Sequence, residues 1–310
     1  MVERARFFVS FFLKKKLGTL VKLINMFLLR FYMNSKEAIK IAKEVARELK
    51  KANFTESMYI IGSLSTGHFD KYADVDIIIT TNKKVYSKDV FPIVKNFMTE
   101  KVYEDNKFPY RIDAEIKKLK IMLFFILEEW VLPGIKQNKK AGEHEYSKHK
   151  DLIRLKKAII LFDKKSKFRN LLKNVPEIPF HIKKYTLHER IHKLNYYLFL
   201  DNGAINTARK RKNYFEVQAS IIDVIQNIYE CIYAINGKTK VDRKWAIEDI
   251  KKFKKKPRGI EKRLNVISQK GNSKKELDEK INILRKIAKE LKPFIEKEGI
   301  KDLPDLKVPK

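Results

Sequence analysis

Apolar positions recur at helical spacing from residue 38 to 49 (Ala38, Ile39, Ile41, Ala42, Val45, Ala46, Leu49), with lysines and glutamates between them. This pattern predicts an amphipathic helix over 34–51. Asn34 as N-cap and Glu37 three residues later give it a capping-box-like start. Apolar runs then predict strands at 57–62 and 74–80, joined by a short turn in which Ser63 suits a helix start and Gly67 a tight backbone. A helix is predicted from about 87 to 100, with Ser87 as its cap. Residues 110–116 alternate strictly and read as a strand whose polar face carries Arg111, Asp113 and Glu115. The apolar run from Leu119 to Trp130 is ambiguous and is read as helix. Residues 133–150, opened by Pro133 and Gly134 and mostly polar afterwards, read as loop, and residues 157–163 as a further short strand.

After Pro176 and Pro179 the strand pattern does not return. Helices are predicted over 182–200, 203–235, 243–254, 259–269 and 274–297. The expected fold class is α+β: a domain with a mixed sheet flanked by helices over 33–175, followed by a C-terminal helical bundle over 176–310. Residues 1–32 form an apolar and basic extension. Its two apolar runs, broken by Lys14-Lys15-Lys16, fall short of the roughly 18–20 residues that span a bilayer. No small-residue cleavage site follows them. Three readings of this extension stay open: a helix on a membrane surface, a helix packed on the domain, or a natural translation start at Met33.

Charge changes the picture next. The chain has 310 residues, with 69 Lys plus Arg against 38 Asp plus Glu, for a net charge of +31. Such a field attracts polyanions, including nucleotides and nucleic acid. A lysine-rich proteome is the competing source of the excess. The run Lys251-Lys252-Phe253-Lys254-Lys255-Lys256-Pro257-Arg258 reads either as a solvated helix end or as a phosphate contact. Arg209 to Lys212 is a second basic cluster of the same kind. Cys231 is the only cysteine, which excludes an intrachain disulfide and a cysteine-based zinc cluster. It lies in an apolar run and reads as a buried structural thiol in a reducing cytoplasm. The pair His188 and His192, four residues apart, has no evident third metal ligand and reads as structural.

The candidate chemistry lies between the first two predicted strands. Gly62-Ser63 closes one strand, and Asp74-Val75-Asp76 opens the next. Alternation puts Asp74 and Asp76 on one face, about 7 Å apart. Two like charges at that spacing call for cations between them, which suits divalent metal acting on a phosphoryl group. A third carboxylate from a neighbouring strand would complete the set. Asp113 is the first candidate and Glu115, two residues on and on the same face, the second. Ser63 is a candidate phosphate ligand. Lys244 reads as a triphosphate contact from the helical region or as plain surface.

Gly-Ser, some ten residues, then Asp-apolar-Asp resembles the signature of the polymerase-β-like nucleotidyltransferase superfamily. The version here, Gly62-Ser63-x-x-x-Gly67 running to Tyr72-Ala73-Asp74-Val75-Asp76-Ile77, looks like its aminoglycoside-type and minimal branch. Asp113 matches the family's third acidic position, 158–163 resembles a strand that closes such domains, and 228–245 resembles the helical substrate domain. The resemblance is specific over about 55–165, looser over 180–260, and absent from 1–32 and the last fifty residues. It implies Mg²⁺ (two ions) held by Asp74, Asp76 and Asp113, with Gly62, Ser63 and Lys244 at the nucleotide. It also implies transfer of a nucleoside monophosphate, AMP from ATP in the first instance, to a hydroxyl of a small molecule, a protein or an RNA. The site is expected in the cleft between the two domains. His68 departs from the Arg or Lys often found near that position. Two further readings are a catalytically reduced module that binds RNA or DNA through its basic surface, and a peripheral membrane protein anchored by 1–32.

Overall fold

The computed structural model describes residues 34–105, 110–141, 146–240 and 242–307. The expectations for 1–32 and for a start at Met33 lie outside the described residues. In chain order the elements are α1 (Ser35–Leu49), β1 (Thr55–Ile61), α2 (Gly62–Thr66), β2 (Val75–Thr81), α3 (Ser87–Val94), β3 (Glu100–Asp105), β4 (Tyr110–Ile116), β5 (Leu119–Leu127), α4 (Glu128–Ala141), α5 (Tyr146–Lys156), β6 (Ile159–Asp163), α6 (Lys167–Leu172), α7 (Phe180–Leu198), α8 (Ala204–Lys210), α9 (Tyr214–Ile235), α10 (Ala246–Lys252), α11 (Ile260–Gln269) and α12 (Lys274–Glu296). The chain is α+β. It divides into two compact units, one reaching to Val131 and taking in Lys157–Lys167, the other made of Leu132–Lys156 and the chain from Phe168 onward. By this division α5 and most of α4 group with the later helices.

The first unit is built on a six-stranded sheet of order β3-β4-β5-β2-β1-β6. All neighbours are antiparallel except β2 and β5. The Asn34 side chain accepts from the Glu37 amide at 3.0 Å and fixes the start of α1. The apolar stripe of α1, Ala38 to Leu49, is buried against one sheet face, with Ile60, Val75, Ile77, Ile79, Ile112 and Leu123 in the same cluster. The other face alternates with it and is half-buried at Asp76, Met122, Arg111 and Asp113.

Several expectations are corrected. The run from Leu119 is not a helix but β5, a strand between β2 and β4. A strand with neighbours on both sides and a core on one face is apolar enough to hide its alternation. The β4–β5 hairpin turns at Lys117 (φ 51°) and Lys118 (φ 68°), a left-handed pair of the kind Asn-Gly usually supplies. The helix predicted over 87–100 ends at Val94, and β3 begins at Glu100. Residues 133–150 are largely helical, in α4 and α5, with 142–145 outside the described residues. The predicted helix 203–235 is broken at Lys212 (φ 56°), after which Asn213 caps α9 through the Glu216 amide at 3.1 Å.

In the second unit, α7 to α12 share one apolar cluster around α9, which includes Cys231. Burial pushes the Cys231 thiol up to about 12, so it stays protonated. Among the described residues no helix is long and apolar enough to cross a membrane.

Candidate active site

β1 runs into a sharp turn at Gly62, whose φ of +76° is strained for any residue with a side chain. The turn lies directly against Asp76. A Cβ built on Gly62 would stand 2.5 Å from Asp76 Oδ2. The register agrees, since Ile61 pairs with Asp76 across β1 and β2. Position 62 thus needs glycine twice over, for its dihedral and for the carboxylate packed on it.

This makes a direct prediction. Gly67 has the same kind of backbone (φ +79°) but open space where a side chain would go. Gly67→Ala is expected to cost the backbone strain alone, about 1–2 kcal/mol. Gly62→Ala adds the clash with Asp76 and is expected to unfold at a clearly lower temperature. Thermal melts of the two variants side by side check it; equal losses would remove the Asp76 contact from the account.

Ser63 follows, 8% exposed, near the start of α2. The Ser65 and Thr66 hydroxyls donate back to the Gly62 carbonyl at 2.9 and 3.2 Å, which holds the turn in shape. His68 Nδ1 lies 3.2 Å from Thr66 Oγ1. Asp70 organises the loop that returns to β2. Its carboxylate accepts from the Tyr72 amide at 2.9 Å and its carbonyl from the Ala73 amide at 3.1 Å. Asp74 is half-buried just ahead of β2, and Asp76 is half-buried between the buried Val75 and Ile77. On the same face of β1, Tyr59 is buried and its phenol is held above the ordinary range, so it is neutral.

Asp76 and Asp113 share a row of the sheet. Asp76 is opposite Met122 on β5, and Met122 is opposite Asp113 on β4. Residues in register point to one face, so the two carboxylates sit on the same side. They are not on paired strands, as the sequence reading assumed, because β5 lies between them. Two strand spacings put their Cα atoms about 10 Å apart.

Asp113 is already engaged. Arg111, two residues earlier and on the same face, donates from Nε to Asp113 Oδ1 at 2.6 Å and from Nη2 to Oδ2 at 2.5 Å. The guanidinium lies 5.1 Å from the centre of the Phe124 ring, and Nη2 is 3.1 Å from the Met122 sulfur. A fork-to-fork pair that also packs on its neighbours is a well-fixed arrangement. Asp113, the first candidate for the third carboxylate, is thus held by Arg111. Met122 and Phe124 were missed because their segment was read as helix. Glu115 is half-buried on the same face of β4.

Residues 38–187 match the family model of the nucleotidyltransferase domain. These residues belong to the nucleotidyltransferase domain family. The matched span takes in Gly62, Ser63, Asp74, Asp76 and Asp113; Lys244 lies beyond it. No curated protein matches the chain. Similar solved structures include a nucleotidyltransferase-like protein from Exiguobacterium sibiricum 255-15, at 12% identity and a TM-score of 0.37, covering 83% of this chain and 75% of that one. An aminoglycoside 6-adenyltransferase from Bacillus subtilis shows 8% identity and a TM-score of 0.36, covering 88% and 94%. A spectinomycin adenyltransferase from Enterococcus faecialis, solved with ATP and spectinomycin, shows 10% identity and a TM-score of 0.26, covering 86% and 100%. Superpositions this loose carry no information on substrate.

In this nucleotidyltransferase domain the family pattern calls for a metal held by Asp74, Asp76 and Asp113. Asp74 and Asp76 offer hard oxygen donors on one segment, which suits Mg²⁺. Asp113 has both oxygens committed to Arg111. Among the described residues no group of three or more His, Cys, Asp or Glu side chains is assembled to hold a metal ion. The remaining candidates lie in the second unit. Lys244 is exposed, its ammonium 5.4 Å from the centre of the Trp245 ring. The rings of His188 and His192 lie 4.4 Å apart, tilted by 42°, and His192 Nε2 lies 3.2 Å from the Asp302 carbonyl.

Proposed function

We propose that this chain transfers a nucleoside monophosphate, AMP from ATP, to a hydroxyl acceptor and releases pyrophosphate. The observation that carries the reading is the contact of the Gly62 turn with the Asp76 carboxylate: it sets a glycine-serine bend, suited to phosphate, against an acidic strand. Asp74 and Asp76 would hold Mg²⁺. The bound ion would neutralise charge gathering on the phosphoryl oxygens in the transition state. Ser63 and the backbone amides of the turn would hold the donor's terminal phosphates and orient the α-phosphorus. The acceptor oxygen bonds to that phosphorus as the bond to the leaving pyrophosphate breaks. Its proton passes to a carboxylate on β4, with Asp113 the first candidate and Glu115 the second. Both Asp113 oxygens accept from Arg111, so one of those two bonds must open before the carboxylate can reach the acceptor hydroxyl. The two-ion arrangement expected from the family pattern would need the same release.

The nucleic-acid-binding alternative draws on net charge. In its most basic stretch four of the six cations are paired in place: Lys251 with Glu248 at 2.7 Å, Lys252 with Asp249 at 3.9 Å, Lys255 with Glu298 at 2.7 Å and Lys256 with Glu261 at 2.6 Å. Arg209 likewise pairs with Asp278 at 2.6 Å, and Lys210 with Asp201 at 2.6 Å. The transferase reading is therefore preferred.

The test is incubation with Mg²⁺, ATP labelled at the α-phosphate, and panels of hydroxyl-bearing small molecules, proteins and RNA. The expected result is label on one acceptor class with matching pyrophosphate release. Absence of both, together with no calorimetric binding of Mg²⁺–ATP, would overturn it.

A further inference from the structure

The helical unit contains a cavity of about 470 Å³ between α9, α10, α11 and α12, within the size range of small-ligand sites. Much of its wall is apolar, from Ile221, Ile225, Leu264 and Ile267. Three charged side chains also line it, and two are already neutralised: Glu261 pairs with Lys256 at 2.6 Å, and Lys270 pairs with Glu279. The third is Lys280, which is different.

Lys280 sits on the apolar stripe of α12, with Leu277, Ile281 and Leu284 as its buried neighbours, and is 2% exposed. Its ammonium donates to two neutral acceptors, Asn272 Oδ1 at 3.1 Å and Gln218 Oε1 at 3.3 Å. Among the described residues no carboxylate lies within ion-pair distance of it. The other deeply buried lysine of this unit, Lys240, has its carboxylate, Glu230, at 3.1 Å. A buried cation with no carboxylate in direct contact is costly, and burial pushes the Lys280 ammonium below its ordinary pKa against the more distant attraction of Glu276. The geometry supplies what an anion needs. The ammonium has one N–H left after its two bonds. With their oxygens turned to the ammonium, the Asn272 and Gln218 side chains each keep an NH₂ group to donate.

We propose that this cavity binds a small amphipathic carboxylate, its acid group on Lys280, Gln218 and Asn272 and its hydrocarbon body among the isoleucines. The site is independent of the transferase reading and uses none of its residues.

Calorimetric titration of the full chain with decanoate, beside decan-1-ol as the uncharged equivalent, tests it. The expected result is saturable one-to-one binding of decanoate, at least about tenfold tighter than the alcohol. Binding to the generally basic surface is screened by salt, so the signal must persist at about 0.5 M NaCl. Lys280→Met is expected to lose at least tenfold in decanoate affinity while Lys280→Arg keeps most of it. Should Lys280→Met fail to fold, Gln218→Leu, at a half-buried position, is expected to weaken decanoate and spare decan-1-ol. Equal binding of acid and alcohol, loss of the signal in salt, or decanoate affinity unchanged in Lys280→Met or Gln218→Leu would each overturn the proposal.

Discussion

Asp76→Asn is expected to lower nucleotidyl transfer on the order of a hundredfold to a thousandfold, the scale set by losing one preorganised electrostatic contact to a transferring group. The substitution keeps the shape of the side chain, so its packing on Gly62 survives and the melting temperature stays within a few degrees. A merely structural carboxylate would behave the other way, with stability falling and activity following it. The same variant is expected to lose Mg²⁺-dependent ATP binding. Asn here retains a hydrogen-bonding oxygen but not the charge, so the readout isolates charge from shape. Transfer within threefold of the parent would remove Asp76 from the chemistry.

Arg111→Ala has the second-largest expected effect, and it acts in opposite directions on two measurements. Stability falls, by about 1 kcal/mol once solvent screening of a pair with side chains 35% and 22% exposed is allowed for. Divalent-cation affinity rises, because both Asp113 oxygens become available on the face that carries Asp76. A gain of roughly tenfold is expected for one added carboxylate ligand. Arg111→Lys keeps the charge but not the fork, and should fall between the two. Manganese binding followed by electron paramagnetic resonance reads this without any need for the acceptor. A fall in ATP affinity with unchanged Mn²⁺ affinity would instead make Arg111 a phosphate contact and leave Asp113 outside the metal site.

The parts of the fold that the sequence made legible are those where one local rule acts alone. α1 has its stripe and its Asn34 cap; β1 and β2 are short apolar runs bounded by Gly62 and by the Asp70 loop. The alternation of β4 carried directly into the structure, whereas Asp74 stands just ahead of β2 rather than in it. What was illegible depends on neighbours. β5 is apolar because it is interior to the sheet, and its run could be read with either period. Its turn uses two lysines at positive φ, where no glycine announces it. In α4, Pro133 and Gly134 looked like breakers, yet they lie inside a helix whose Ile135 is buried. The break at Lys212 is hidden for the same reason as the hairpin.

The site was legible in its residues and not in its spacing. Asp113 stands out on the strand's polar face, which also carries Arg111. That the pair forms a closed fork, and that β5 stands between the two acidic strands, follows from strand order, which sequence spacing does not encode. Lys280 is an instructive miss of another kind. A lysine at a core-facing position of an amphipathic helix was visible in the pattern from Leu277 to Leu284, but only its burial, with no carboxylate at ion-pair distance among the described residues, gives it meaning.

The most direct test is a crystal structure of the full chain with Mn²⁺ and a non-hydrolysable ATP analogue, using manganese anomalous scattering to place the ion. The account predicts a peak roughly 2.0–2.3 Å from carboxylate oxygens of Asp74 and Asp76, with the analogue's phosphates against the Gly62-Ser63 turn. A nucleotide and ion bound elsewhere, with both aspartates unliganded, would contradict it.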